Sequence, residues 1–248
     1  MNIQNKTVLV TGGGSGIGLE IARQLDENGN RIIITGRNEA KLAKAVSQLK
    51  NAVAIPCDVS NEKDVLNLVT RIKKDFSDLS ILVNNAGLCY VHQLHDGADT
   101  VAYAQAEMST NYFSVVRLVN HLLPLLTLQK EAAVVNVTSI VVFAAGAAIS
   151  TYSASKAALH SYTQVLRHTL KETSVKVFEL MPPLVNTDMA KEIGGEQRGI
   201  PPNQVAERLH AALQRDEFEI HVGMTADLYK IFLSSPQHAF NVLNEVKE

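Results

Sequence analysis

The chain has 248 residues, of which 46% are hydrophobic and 19% charged, and its formal net charge is −2. A chain of this length buries a substantial core, and the composition is that of an ordinary soluble globular protein. The small net charge, the absence of Trp and an aromatic content of 5% argue against a nucleic-acid partner, which would require basic patches or stacking surfaces.

Short apolar runs alternate with amphipathic segments along most of the chain. The predicted strands are residues 7–11, 31–35, 52–56, 81–84, 133–137 and 174–181, and the predicted helices are residues 18–28, 39–50, 62–75, 100–128 and 151–173. The strands are continuous Val/Ile/Leu-rich runs, which indicates burial on both faces and a parallel sheet between two layers of helices. We therefore predict an α/β fold, a doubly wound parallel sheet (Rossmann fold) formed by residues 1–248 as a single domain.

The alternation of strands and helices ends after residue 181. Residues 182–202 are rich in Pro and Gly and are predicted to form a loop. A helix at 203–215, a short strand at 217–222 and an amphipathic segment at 225–246 follow. Because ligands of open α/β sheets bind beyond the carboxyl ends of the strands, we predict a substrate lid at about residues 182–215.

The sequence predicts neither membrane insertion nor export. Residues 132–155 carry no charge, but polar residues such as Asn136 and Ser139 interrupt them, so we interpret this segment as a buried strand followed by a loop of small residues. The N-terminal segment lacks the pattern of a signal peptide. Cys57 and Cys89 lie far apart and outside any metal-ligand spacing, as is typical of a reducing cytosol. We therefore predict a cytoplasmic protein.

The first strand runs into a glycine-rich turn, TGGGSGIG, at residues 11–18. Glycines there let the backbone approach a pyrophosphate closely, and the start of the following helix supplies amides and the positive end of its dipole. A flexible surface turn is the alternative, although such a turn seldom needs so many glycines. The predicted cofactor contacts in this turn are Thr11, Gly12, Gly14, Ser15, Gly16, Ile17 and Gly18.

The end of the second strand indicates which dinucleotide is bound. An acidic residue about 20 positions beyond the glycine turn would hold a ribose 2′-hydroxyl, but Thr35 and Gly36 occupy that place and Arg37 follows. A guanidinium can donate two parallel hydrogen bonds to a 2′-phosphate, whereas a carboxylate would repel that group. We therefore predict NADP(H) in preference to NAD(H), with an exposed loop arginine as the alternative.

The segment STYSASK, residues 150–156, places Tyr152 and Lys156 one helical turn apart. Such a pair often arises by chance, so its meaning depends on the rest of the chain. Four further matches accompany it: Asp58-Val59 after the third strand, Asn84-Asn85-Ala86-Gly87 after the fourth, Asn111 in the long helix, and Ser139, 13 residues before Tyr152. Together with the spacing T-G-x-x-x-G-x-G of the glycine turn, they make the chain resemble the short-chain dehydrogenase/reductase family over residues 11–187.

The resemblance implies an oxidoreductase that interconverts a carbonyl and an alcohol by hydride transfer. Tyr152 would then donate or accept the proton, while Lys156 would favour the phenolate and hold the nicotinamide ribose. Ser139 would hydrogen-bond the developing alkoxide. Asn111 would help to hold a water that connects Lys156 to solvent. The family's other cofactor contacts fall on Asp58, Val59, Asn85, Ala86, Gly87, Pro182, Val185 and Thr187.

Two features depart from the family pattern. Pro183 stands where the family usually has Gly after the sixth strand, and it should stiffen this loop. His92 and His95 follow the fourth-strand motif and could suggest a metal pair. Since no third ligand is apparent nearby, we predict no metal and a polar lining of the substrate mouth.

With TGR after strand two and the later PPLVNTD, the chain most resembles uncharacterised bacterial oxidoreductases of the DltE type.

The sequence leaves two alternatives to this activity open: a nucleotide-sensing or scaffold protein on the same fold, and a non-redox epimerase.

The helices at 100–128 and 151–173 carry apolar residues around much of their circumference, and in the resembled family such helices pair across a two-fold axis. We predict a homodimer, or a homotetramer that also uses the segment 225–246. The predicted ligand is a small carbonyl compound or alcohol, with no nucleic-acid or membrane partner.

Overall fold

The computed structural model describes residues 1–95 and 97–246 and contains one seven-stranded sheet. The strands are β1 (Thr7–Thr11), β2 (Arg31–Gly36), β3 (Ala52–Pro56), β4 (Leu79–Asn84), β5 (Ala132–Val137), β6 (Val175–Met181) and β7 (Glu219–His221). All neighbouring strands are parallel, in the order β3-β2-β1-β4-β5-β6-β7. The carboxyl ends of these strands therefore meet at one edge, with the change of winding direction between β1 and β4.

Helices cover both faces of the sheet. They are α1 (Gly16–Asp26), α2 (Glu39–Val46), α3 (Glu62–Asp75), α4 (Thr100–Met108), α5 (Ser114–Leu126), α6 (Ser150–Leu170), α7 (Gly195–Arg198), α8 (Pro202–Arg215), α9 (Thr225–Ser234) and α10 (Pro236–Leu243). One core cluster joins the sheet to α1, α2 and α8, and the other joins it to α3, α5 and α6. Within β1, Val8 and Val10 belong to the first cluster and Leu9 to the second. The predicted doubly wound fold is confirmed.

The predicted helix at 100–128 is interrupted in its middle. α4 passes through a π-helical turn, Ser109–Phe113, before α5 continues to Leu126. A π turn inserts an extra residue and shifts the face that each side chain presents, and such turns often occur at functional sites. Here the turn contains Asn111, whose side chain is buried.

The predicted lid differs from the structure in its extent. Residues 182–201 contain a 3₁₀ turn, Asp188–Ile193, and the single-turn α7, and a parallel bridge joins Val185 to Ile200. In contrast, α8 buries Val205 and Leu209 in the core cluster beside α1. The part of the predicted lid after residue 201 is therefore a core helix, because its apolar face is needed to cover the sheet.

The amphipathic segment at 225–246 folds as two helices that bend at Ser235 and Pro236. Their buried residues Leu228 and Ala239 pack on Ile140 and Val141, in the loop that follows β5. The face that suggested a tetramer contact is thus partly covered within the chain. No helix in the described ranges is long and apolar enough to cross a membrane.

Candidate active site

A cavity of about 890 Å³ lies at the carboxyl edge of the sheet. It is lined by the residues that follow six successive strands, including Gly12, Arg37, Asp58, Asn85, Ser139 and Pro182. Residues 182–201 and the C-terminal helices contribute further lining residues, such as Met189 and Leu243. This is the position at which ligands bind in doubly wound sheets.

The glycine turn forms one end of this cavity and fits a dinucleotide pyrophosphate. Ser15 is the N-cap of α1, but its side chain makes no capping hydrogen bond, and the first turn of the helix carries no acidic residue. Ser15, Gly16 and Ile17 all line the cavity, so the free amides at the helix start face the space that a phosphate would fill. Gly16 has φ +54, and a Cβ there would lie 3.1 Å from Thr187 Cγ2.

Thr11 and Gly18 shape the turn from behind rather than lining the cavity. Thr11 Oγ1 accepts hydrogen bonds from the backbone N–H groups of Asn85 and Ala86, both at 3.0 Å. A Cβ on Gly18 would lie 2.4 Å from Gly12 O and from Asn85 Nδ2. These two predicted cofactor contacts therefore lock the glycine turn onto the end of β4, while Gly12 and Gly14 lie on the cavity wall.

The far end of the cavity carries the residues predicted to select the nucleotide. Arg37 is exposed, lines the cavity and makes no ion pair with any residue that the structure describes. Asp58 and Val59 lie beside it, and Asp58 Oδ1 accepts a hydrogen bond from Ser60 N at 2.9 Å. A free guanidinium is thus available at this end.

Ser139, Tyr152 and Lys156 lie close together in the lining of the same cavity. Ser139 follows β5, and the other two lie on adjacent turns of α6. Lys156 Nζ donates to Val137 O at 2.8 Å and lies 5.7 Å from the centroid of the Tyr152 ring. The lysine is therefore fixed to the end of β5 and sits beside the phenol.

The protonation of this pair differs from the prediction. Burial raises the pKa of the Tyr152 phenol, a nearby Cys89 raises it further, and a hydrogen bond with Ser139 lowers it. Burial also lowers the pKa of Lys156 to about 8. In the protein alone, desolvation therefore outweighs the expected effect of the lysine, and at neutral pH the phenol is protonated and able to donate.

Asn111 lies behind the wall and holds the π turn in place. Its Oδ1 accepts from Leu88 N, and its Nδ2 donates to Leu88 O and to Ser155 Oγ, each at 2.8 Å. Those three hydrogen bonds join α4–α5, α6 and the segment after β4. The water-holding role implied by the family resemblance stays a prediction.

A buried polar network beside the site was not predicted. Glu179 in β6 is fully buried, and its Oε1 accepts from Thr138 Oγ1 at 2.8 Å and lies 2.8 Å from His160 Nδ1. The hydrogen bond to Glu179 raises the pKa of His160. Because Thr138 directly precedes Ser139, the network braces the end of β5. A glutamate within the apolar run of strand six was the sequence signal that could have indicated it.

The histidines after β4 do not line the cavity. His92 is buried, with its ring centroid 5.1 Å from that of Tyr103 and its Nε2 3.4 Å from Ser150 Oγ, while His95 is exposed. The predicted polar lining of the substrate mouth by these residues was therefore wrong, because the loop turns His92 into the protein. No cluster of three metal-ligating side chains occurs within residues 1–95 and 97–246.

Known proteins resemble this chain in sequence and in structure. A family model described as short chain dehydrogenase matches residues 6–198. The chain is 39% identical over 224 residues to "Uncharacterized oxidoreductase DltE" of Bacillus subtilis, with 89% of each protein covered. This relative confirms the predicted resemblance to the DltE type.

Two solved structures share the whole fold. A short chain dehydrogenase from Burkholderia cenocepacia, in complex with NADP, has a TM-score of 0.88 and 25% identity and covers 100% of both chains. A short chain dehydrogenase/reductase from Burkholderia phymatum, in complex with NAD, has a TM-score of 0.87 at 20% identity and covers 100% of this chain and 98% of that one. At 20% identity the second likeness supports the fold alone.

Proposed function

The chain belongs to the short-chain dehydrogenase family of oxidoreductases, and we propose that it is an NADP(H)-dependent enzyme that interconverts a carbonyl compound and an alcohol. The observation that carries this proposal is the shared cavity, which is lined by Ser139, Tyr152 and Lys156 and by the glycine turn. The relative solved with NADP supports the choice of a nicotinamide cofactor.

Each side chain has a distinct part in the proposed reduction. When bound, a reduced nicotinamide supplies a hydride, with its two electrons, for the carbonyl carbon. Tyr152 donates its phenolic proton to the carbonyl oxygen, so that a neutral alcohol forms. Ser139 hydrogen-bonds that oxygen while charge develops on it. Lys156, held by Val137 O, stabilises the phenolate left behind until a proton returns.

The two alternative functions make different demands on this site. A scaffold or nucleotide sensor has no use for the three side chains that meet at the cavity, and an epimerase would hold its cofactor through repeated turnovers. The test is a panel of carbonyl compounds and alcohols followed by NADPH absorbance, with a desalting step beforehand. Reduction that requires added NADPH supports a dehydrogenase, whereas cofactor that stays with the protein through desalting, with no net oxidation of added NADPH, would indicate the epimerase.

Arg37 is proposed to give a preference for NADP(H). A charge-assisted contact to the 2′-phosphate is stronger than a neutral hydrogen bond by ~1–2 kcal/mol, or about tenfold in affinity. We expect Arg37→Ala to reduce the ratio of NADPH to NADH affinity by about this factor, measured by fluorescence titration. Arg71→Ala, an exposed arginine on α3 outside the cavity, is the matched control. Equal or tighter binding of NADH by the unmodified protein would contradict the proposal.

We propose that the enzyme is at least a homodimer. Two large apolar side chains are exposed on the helical elements that we expect to pair with those of a second copy. Phe113, at the π turn, is 51% exposed, and Val165, on α6, is 62% exposed. Light scattering should give at least twice the 27.0 kDa chain mass, and Val165→Arg should reduce it, unlike Leu66→Arg on the exposed face of α3. A fully active 27.0 kDa species would rule this assembly out.

The unpaired Cys57 and Cys89 support a cytoplasmic location.

A further inference from the structure

The outer half of the cavity, next to Tyr152, has apolar walls. The loop after β5 contributes Val141 and Ile149, the lid contributes Met189, and α10 contributes Leu243. Tyr152 itself packs on the same apolar cluster as Ile149 and Leu243. A carbonyl compound that reaches the phenol would therefore place the rest of its structure against hydrocarbon.

This half of the cavity also lacks an unpaired charge among its described lining residues. Arg198 pairs with Glu245 at 2.7 Å, and Lys41 pairs with Asp188 at 2.8 Å. Burial raises the pKa of the Cys89 thiol to about 12, so this lining group is neutral as well. The remaining charged lining residues are Lys156, fixed to Val137 O, and Arg37 and Asp58 at the nucleotide end.

The C-terminal segment holds this apolar wall in place. Asn244 Oδ1 accepts from Ala147 N at 2.7 Å, and its Nδ2 donates to Ala145 O at 2.9 Å. The Arg198–Glu245 pair joins the same segment to the lid. The Asn244 amide is thus occupied by the fold and is not a free partner for a polar substrate.

The apolar wall continues from the cavity to the surface. Met189, Met224 and Val242 line the cavity and are 45%, 53% and 41% exposed. An apolar rim of this kind can cover a substituent that is longer than the enclosed space.

From these walls, charges and rim we infer that the site takes an uncharged carbonyl compound that carries an extended apolar substituent, such as an unbranched aliphatic ketone. A carboxylate or phosphate on that substituent would meet no free cation among the described residues of these walls, at a large desolvation cost. This inference rests on the proposed carbonyl reduction and adds the substrate class to it.

The test is a series of methyl ketones from 2-butanone to 2-nonanone, reduced with NADPH. We expect kcat/KM to rise about threefold to fourfold for each added methylene while the chain still contacts the walls and rim. A keto acid of the same length, 8-oxononanoate, should be at least about a hundredfold poorer than 2-nonanone. Met224→Gln should reduce the increase in kcat/KM per added methylene. Leu233 is an exposed residue of α9 outside the cavity, so Leu233→Gln should leave that increase unchanged.

The outcomes separate this inference from the proposed function. If short ketones are reduced but kcat/KM does not rise with chain length, or if the keto acid is preferred, the substrate class is wrong and the carbonyl reductase stands. If no ketone or keto acid is reduced although NADPH binds, both the inference and the proposed reaction fail.

Discussion

Tyr152→Phe is expected to lower turnover by about 10²–10⁴-fold, the usual contribution of general acid–base catalysis. The substitution removes only the phenolic hydroxyl, so the ring still packs on the apolar cluster with Ile149 and Leu243. NADPH affinity should therefore stay nearly unchanged. Steady-state kinetics with a good ketone and a fluorescence titration of NADPH measure the two quantities separately.

A second tyrosine of α6 provides the control for this substitution. Tyr162 packs edge-on against Tyr112, with ring centroids 6.1 Å apart, and does not line the cavity. Tyr162→Phe should keep normal turnover. If Tyr152→Phe also retained near-normal reduction, Tyr152 would not be the proton donor.

The strands and their parallel arrangement could be predicted because their sequence patterns are local. A run such as the Ile-rich segment of β2 is apolar at successive positions, and only a strand buried on both faces uses such a run fully. The helix between each pair of strands then fixes the parallel pairing and the handedness. The same logic located the cavity, since residues at the carboxyl ends of parallel strands meet at one edge.

Other features could not be predicted, because they depend on contacts between distant segments. The π turn at Ser109–Phe113 leaves the composition of the helix unchanged, so its periodicity still predicts one helix. The amphipathic pattern of residues 225–246 indicates that one face is buried but not which surface covers it. In the structure that surface is the protein's own loop after β5.

The electrostatics of the site also depend on the tertiary structure. One helical turn between Tyr152 and Lys156 predicts that the ammonium stabilises the phenolate. Burial disfavours the charged form of both groups. It therefore raises the pKa of the phenol and lowers the pKa of the lysine. In the protein alone, the protonated phenol is therefore the favoured form.

The lowered pKa of Lys156 predicts how activity depends on pH. Below about pH 8 Lys156 is an ammonium, and as pH rises through its pKa of about 8 the charge is lost. Tyr152 stays protonated over this range because its own pKa is raised. We therefore expect kcat/KM for NADPH, which reports the free enzyme, to fall by about tenfold per pH unit above pH 8.

Lys156→Met should lower kcat by about 10²–10³-fold, as loss of one electrostatic contact to the reacting groups commonly does. Unlike Tyr152→Phe, it should also weaken NADPH binding about tenfold or more if Lys156 holds the ribose as the family resemblance implies, because a charged donor would then be lost. The remaining activity should no longer decline above pH 8, since the group that titrates there is absent. Lys171→Met, at the exposed end of the same helix, should keep both the activity and the decline. Because the substitution leaves Val137 O unpaired, circular dichroism must first show that the variant is folded. A folded variant with normal NADPH affinity and an unchanged pH profile would show that Lys156 neither holds the ribose nor supports the phenol.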